Sequence, residues 1–217
     1  MSTTISRGTP VKLTRDQVLA GAMALLDEVG IDNLTMRRLA TSLGVQNGAT
    51  YWHFRSKQAL LASMAEALLV DITADLDRTL RWDEQLAELA NRLHRALLAY
   101  RDGARIFAGV FFPLPNALAY GDTMIGLLRA AGLSVRDAAW AVDTLTYYVV
   151  GHTIEEQLAA GLPDSGDPAR TQLADAVTTQ QYPNLAAAID HIPAPHPPEH
   201  FAYGLRVLIN GLRAEEA

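Results

Sequence analysis

Residues 44–54 read GVQNGATYWHF, small and polar positions running straight into Tyr51, Trp52, His53 and Phe54. Such a run either plugs a small core or is presented to something outside. Its flanks tip the reading. Upstream, Thr35 is placed to cap a short helix whose apolar face is Met36, Leu39, Ala40 and Leu43. Arg37 and Arg38 fall on its other side, and Gly44 stops it. Asn47 then opens a helix reaching about Phe54, and Ser56 caps a longer one with Leu60, Leu61, Met64, Leu68 and Leu69 on one side. In front, Thr14 and Gln17 make a capping box with Asp16 in the first turn. Val18, Leu19, Ala22, Leu25, Leu26 and Val29 follow at helical spacing, and Gly30 ends that helix. Two short helices joined by a tight glycine-containing turn, braced by a longer helix, are the helix-turn-helix pattern, whose second helix enters the major groove. Here that helix is NGATYWH.

Within it, Ala49 and Trp52, with Phe54 beyond, are expected to face the small core. Asn47, Gly48, Thr50, Tyr51 and His53 are expected to face DNA. Gly48 and Ala49 let the backbone approach the duplex closely. Thr50 and Tyr51 carry hydroxyls for phosphates, and Asn47 can pair with adenine. Read alone, the stretch is equally compatible with an all-core bend; the flanking helices favour DNA.

The net charge of −6 hides an asymmetry. Residues 1–60 balance to +3 and the remainder to −9, a basic head on an acidic body, as when only the head meets polyanion. The chain has no cysteine, which excludes disulfides and thiolate metal sites. Its longest apolar stretch, Ile106 to Leu114, is too short to span a bilayer, and no signal-peptide core opens the chain, so a cytoplasmic location is expected.

Beyond the head, Leu86, Leu89, Ala90, Leu93, Leu97 and Leu98 recur at helical spacing between about Asp83 and Tyr100, until Asp102-Gly103 breaks the chain. IFAGVFFPLP follows, a short apolar helix ended by Pro113 and Pro115 and expected to form an irregular wall. Phe107, Phe111, Phe112 and Met124 are pocket-lining candidates; plain core is the competing reading for each. The longest helix is expected from about Val135 to Ala160, apolar around most of its circumference and so buried on both sides. A second such helix covers 199–213, with Phe201, Leu205, Leu208 and Leu212 along one face and Gly204 and Gly211 permitting close helix approach. Together they predict an isologous dimer. His191, His196 and His200 sit in a proline-rich connector and read as loop histidines; no metal site and no cofactor is expected. His152 and Glu155 share the long helix and could bond to a ligand or to each other.

LTMRRLATSLGVQNGATYWHFRSKQALL resembles the helix-turn-helix of the TetR family of repressors. HRALLAYRDGARI, the stretch from Ala130 to Gln157, and FAYGLRVLINGL resemble the regulatory domain of the tetracycline repressors that give the family its name. The resemblance implies an all-α homodimer: an arm at 1–12, a three-helix head at 13–60 linked by a fourth helix at about 56–72, and a ligand-binding and dimerisation domain at 73–217. It implies a repressor, not an enzyme, released from double-stranded operator DNA by a small molecule. Matched position by position, Arg37 would touch a base edge, and Thr35 and Lys57 phosphates. Asn47, Thr50, Tyr51, Trp52 and His53 would lie at the groove, with Gln46 at a less uniform position. The magnesium-ligating histidine of the tetracycline repressors falls at Phe107, a metal-supporting threonine at Val110, a drug-gripping histidine at Thr73 and a pocket glutamine at Met124. Only the glutamate is kept, as Glu155. Phe, Val and Met offer a hard cation no ligand, so the expected effector is apolar or aromatic and not magnesium–tetracycline. Val142 and Thr146 complete the candidate lining. The alternative is a DNA-binding architectural or activating protein without an inducer, which requires the space behind Phe107 and Phe111 to be filled by side chains. No Ser/His/Asp order or Gly-rich phosphate loop supports an enzyme.

Overall fold

A computed structural model describes residues 13–109, 113–160, 168–177, 180–192 and 198–214. The expected arm at 1–12, Val110, Phe111, Phe112 and His196 lie outside the described residues. All regular structure among those described is helical. The head comprises α1 (Arg15–Val29), α2 (Met36–Ser42) and α3 (Asn47–His53), followed by α4 (Lys57–Leu68). The body comprises α5 (Trp82–Leu98), α6 (Gly103–Ala108), α7 (Pro115–Ala130), α8 (Val135–Ala160), α9 (Pro168–Ala176), α10 (Pro183–Ala188) and α11 (Pro198–Ala214).

The helix starts follow local side-chain chemistry. Thr14 Oγ1 accepts from the Gln17 backbone N–H at 3.2 Å while Gln17 Oε1 accepts from that of Thr14 at 2.8 Å. Thr35 and Ser56 each accept from the third residue on, at 3.1 Å, satisfying N–H groups that a helix start otherwise leaves unpaired. Gly30 and Gly44 take φ of 72° and 66°, the left-handed region that ends α1 and turns the chain out of α2.

Two elements differ from expectation. The fourth helix stops at Leu68, well short of residue 72, and the chain turns through Asp71 and Asp75 at positive φ. Ile72 and Leu76 stay buried there, and Arg92 Nη1 donates to the carbonyls of Ile72 and Ala74. Pro115 does not end a helix; it opens the sixteen-residue α7. A first-turn proline loses no intrahelical hydrogen bond and already has helical φ.

α5 is the strut of the body. Leu86, Leu89, Ala90, Leu93 and Leu97 are fully buried, and the helix packs on α6, α7, α8 and α11. On α11 the buried face is Phe201, Leu205 and Ile209; Leu208 and Leu212, expected on it, are only partly buried. Residues at i, i+4 and i+8 lie on one side of a helix, and that side of α11 packs on α8 and α5. Gly204 lies where any side chain would strike Tyr148 of α8, so it is the close-approach glycine; Gly211 faces open space.

Candidate nucleic-acid interface and effector cavity

Two residues of α3, Thr50 and Trp52, lie on the opposite side from the one expected from spacing. Thr50 is fully buried, and its hydroxyl donates to the Asn47 carbonyl at 2.9 Å. Trp52, expected in the core, is 89% exposed. At about 100° per residue, Thr50 and Phe54 fall on one stripe and Trp52 falls opposite it. Phe54 is the core anchor at 2% exposure, with the Arg15 guanidinium 4.7 Å from its ring centre. Gln46, Asn47, Gly48, Tyr51 and Trp52 therefore form one outward surface, with His53 half-buried at its edge. A methyl group at Gly48 would meet nothing within 4 Å, so no contact inside the protein requires glycine there. Arg37 and Arg38 are exposed on α2 beside this surface. The Thr35 hydroxyl caps α2, and Lys57 Nζ donates to the Ile31 carbonyl at 3.3 Å, which leaves the ammonium further donors.

In the body, α4, α6, α7 and α8 enclose a cavity of about 500 Å³. Of the expected lining residues, Phe107, Val142 and Thr146 border it. Met124 does not: it is fully buried core, the competing reading. Thr73 sits in the turn after α4, and Glu155 lies exposed on α8; neither borders the cavity. The imagined His152–Glu155 pair is also corrected, because four residues, not three, bring His152 onto Glu156.

Sequence reasoning missed most of the wall. Ala62 and Ala65 of α4 and Ala117 and Gly121 of α7 leave the volume open by being small, while Leu69 and Leu118 complete those two walls. The polar contributors are Glu66, Tyr120, Asp143, Thr146 and Tyr147. The Glu66 carboxylate accepts from the backbone N–H groups of Asn116, at 2.7 Å, and Ala117, at 3.4 Å, closing the start of α7. Tyr120 is 4% exposed, and its hydroxyl has no hydrogen-bond partner among the described residues. Burial pushes that phenol well above its ordinary range, so it stays a neutral donor.

The family "Bacterial regulatory proteins, tetR family" matches residues 18–64, over the helix-turn-helix, and "Tetracyclin repressor-like, C-terminal domain" matches residues 77–215, around the cavity. The tetracycline repressor protein class A from transposon 1721 of Escherichia coli is 42% identical over 93% of this chain and 91% of its own. The chain belongs to the TetR family. A possible TetR family regulator from Streptomyces coelicolor A3(2) superposes with a TM-score of 0.84 at 42% identity, over 93% of this chain and 99% of that one. ActR of the same organism, solved in complex with actinorhodin, superposes with a TM-score of 0.82 at 29% identity, over 94% of this chain and 99% of that one. This TetR-family protein is thus a transcriptional repressor with a DNA-binding part and a ligand-binding part, not an enzyme. None of the described helices is long and apolar enough to cross a membrane.

In this TetR-family chain the six residues of α6 touch both functional regions. Phe107 borders the cavity, while Arg105 reaches the α1–α2 turn and grips Asp32 at 2.8 and 3.0 Å. The hydrogen bond from Arg105 holds the Asp32 carboxyl below its usual range. Asp102, at the left-handed corner before α6, accepts from the Ile31 N–H at 2.9 Å, and the Arg101 N–H donates to Asp27 at 2.8 Å. On the other side, Arg15 of α1 donates to Ser63 of α4 at 2.6 Å. Cavity wall and head are thus joined through two helices.

Proposed function

We propose that this chain acts as a homodimer that binds a near-palindromic operator through α3, and that a small apolar or aromatic molecule, other than magnesium–tetracycline, releases it. The observation that carries the reading is the open cavity of about 500 Å³ next to α6. An inducer-free architectural or activating regulator would have that space filled by side chains. Its walls are mostly apolar, with a few polar groups, as small-molecule sites are. ActR, which has the same fold, is described bound to actinorhodin, and this supports a flat aromatic class.

Thr35, Arg37, Gln46, Asn47, Gly48, Tyr51, Trp52, His53 and Lys57 are the proposed DNA contacts; Thr50 supports them from the core side. Trp140 and Tyr147 on α8, with Tyr203 and Val207 on α11, are 50–70% exposed in the single chain. Aromatic and apolar groups left bare on the two long helices support a partner subunit there. Two α3 helices would then lie about 34–36 Å apart, one turn of duplex. The arm at 1–12, the head at 13–60 and the body at 73–217 are the proposed units, in keeping with the matched spans, and a cytoplasmic location suits a DNA-bound regulator. Against magnesium–tetracycline, Phe107 brings to the cavity wall a ring that cannot ligate a hard cation.

A binding selection from random duplex DNA near physiological salt tests the proposal. Enrichment of a palindrome is expected, with flat aromatic compounds releasing the fragment and magnesium–tetracycline leaving it bound. A folded dimer that enriches nothing would overturn the DNA reading. Release by magnesium–tetracycline would overturn the effector reading.

A further inference from the structure

Away from α3 and the cavity, four titratable side chains converge where α5, α8 and α11 meet. His94 Nε2 of α5 lies 2.5 Å from Glu156 Oε2 of α8. His152, one turn before Glu156, presents Nδ1 to the same oxygen at 3.3 Å. The ring of Phe201 on α11 stacks on His94 with centroids 3.8 Å apart and planes 9° from parallel. His200, expected in a loop, instead sits in the first turn of α11 with Nδ1 3.2 Å from His152 Nε2. The side chains of His94, His152 and Glu156 are only 13%, 5% and 16% exposed.

We infer that His94, His152 and Glu156 form a binding site for a first-row divalent cation, zinc foremost, with His200 as its hydrogen-bonded support. One imidazole would have sufficed to pair Glu156. Two aimed at one carboxylate oxygen are the arrangement in which a cation can stand between all three. Their ligand atoms lie within 4.8 Å of one another. Bonds of about 2.0–2.2 Å to a shared ion would need only small side-chain rotations. The spacing of His152 and Glu156 puts both on one face of α8, and α5 supplies the third ligand across the helix interface. His152 can bind through Nδ1 while its Nε2–H donates to His200, an outer contact that fixes tautomer and ring orientation. Two imidazoles and a carboxylate suit zinc, nickel or cobalt over magnesium or calcium, and the chain has no thiolate to offer a softer ion. A fourth position is left for water. The ion would cross-link α5 to α8 beneath the Phe201 lid of α11.

The test uses full-length protein stripped with chelator. Zinc chloride alone is titrated by calorimetry, and cobalt chloride is followed by visible absorption. Expected are one ion per chain, tetrahedral cobalt bands, and a Tm raised by about 5–10 °C at a hundredfold excess over Kd. Glu156→Gln and His94→Gln should each weaken zinc at least tenfold, His200→Ala by roughly tenfold, and His191→Ala not at all. Circular dichroism checks that the variants remain helical. Absence of stoichiometric uptake by the unmodified protein would overturn the site, whatever the variants do. Uptake undiminished in folded Glu156→Gln and His94→Gln would overturn it equally.

Discussion

The recognition helix and the effector cavity use aromatic side chains in opposite ways. On α3, Trp52 and Tyr51 point outward at 89% and 44% exposure, and the described residues leave the tryptophan almost bare. Around the cavity, Phe107 and Tyr120 face an interior space bounded by small residues. Leaving a tryptophan in water forgoes a burial worth about 2–3 kcal/mol, a cost that folding alone does not explain on α3. A tyrosine hydroxyl buried without a partner is likewise costly. Under the proposed function, the complement of each lies outside this chain: a duplex for the α3 ring, a small molecule for the Tyr120 hydroxyl.

Four substitutions test this contrast. Trp52→Ala has the largest expected effect, at least a hundredfold loss of operator affinity measured by fluorescence anisotropy. Its midpoint of chemical unfolding should be nearly unchanged, since the residue is 89% exposed; marked destabilisation would mean the exposed face is structural after all. Asp83→Asn probes the body alone. This carboxylate is 1% exposed, yet Arg81, just before α5, and Arg213 of α11 both pair with it. Burial by itself would push its pKa up, but the hydrogen bonds from Arg213 and Arg81 outweigh burial and hold it below 3.8. A folded-state pKa below the unfolded one stabilises the protein above about pH 4 and loses that contribution as pH falls. The variant should lose about 1–3 kcal/mol at pH 7, since both arginines are half exposed, and should show a flatter acid limb in urea melts. Operator affinity per folded dimer should be unaffected.

Arg105→Ala should separate the two regions. Effector should still bind the cavity with near-normal Kd, while its effect on operator affinity falls by roughly tenfold, the scale of a coupling free energy. Unaltered release would show that α6 is not the route between them. The smallest effect is expected for Gly48→Ala. Open space and ordinary helical φ predict a gain of up to about 1 kcal/mol in stability. Operator affinity should nonetheless drop several-fold, because the added methyl stands between backbone and duplex. Improved binding together with improved stability would rule out close approach at this position.

What the sequence displayed and what it hid divide along the range of the interactions. Thr14, Thr35 and Ser56 cap helices through contacts three residues long, and α8 begins at Val135 and ends at Ala160 as its periodicity implied. The faces of α3 were harder because seven residues make barely two turns, too few for spacing to choose between Thr50 and Trp52. The cavity was harder still. Ala65, Phe107, Tyr120 and Asp143 meet only after four helices have packed, and nothing local marks an alanine as the edge of a void. Met124 suits a lining by its apolar character and both Met124 and Thr73 by the family resemblance, yet one is core and the other a turn residue. His94 carried no local signal at all, since its ion-pair partner Glu156 lies 62 residues away.

The shortness of α6 has a consequence for how such a protein changes over generations. Six residues hold few internal hydrogen bonds, so this helix takes its position from its neighbours more than from itself. Its cavity-side residue, Phe107, and its head-side residue, Arg105, are different side chains answering to different surroundings. Under the proposed function, replacing the first would alter which compounds are sensed and leave the second gripping Asp32. Lineages built this way can drift to new chemical signals while keeping the same DNA vocabulary and the same means of letting go.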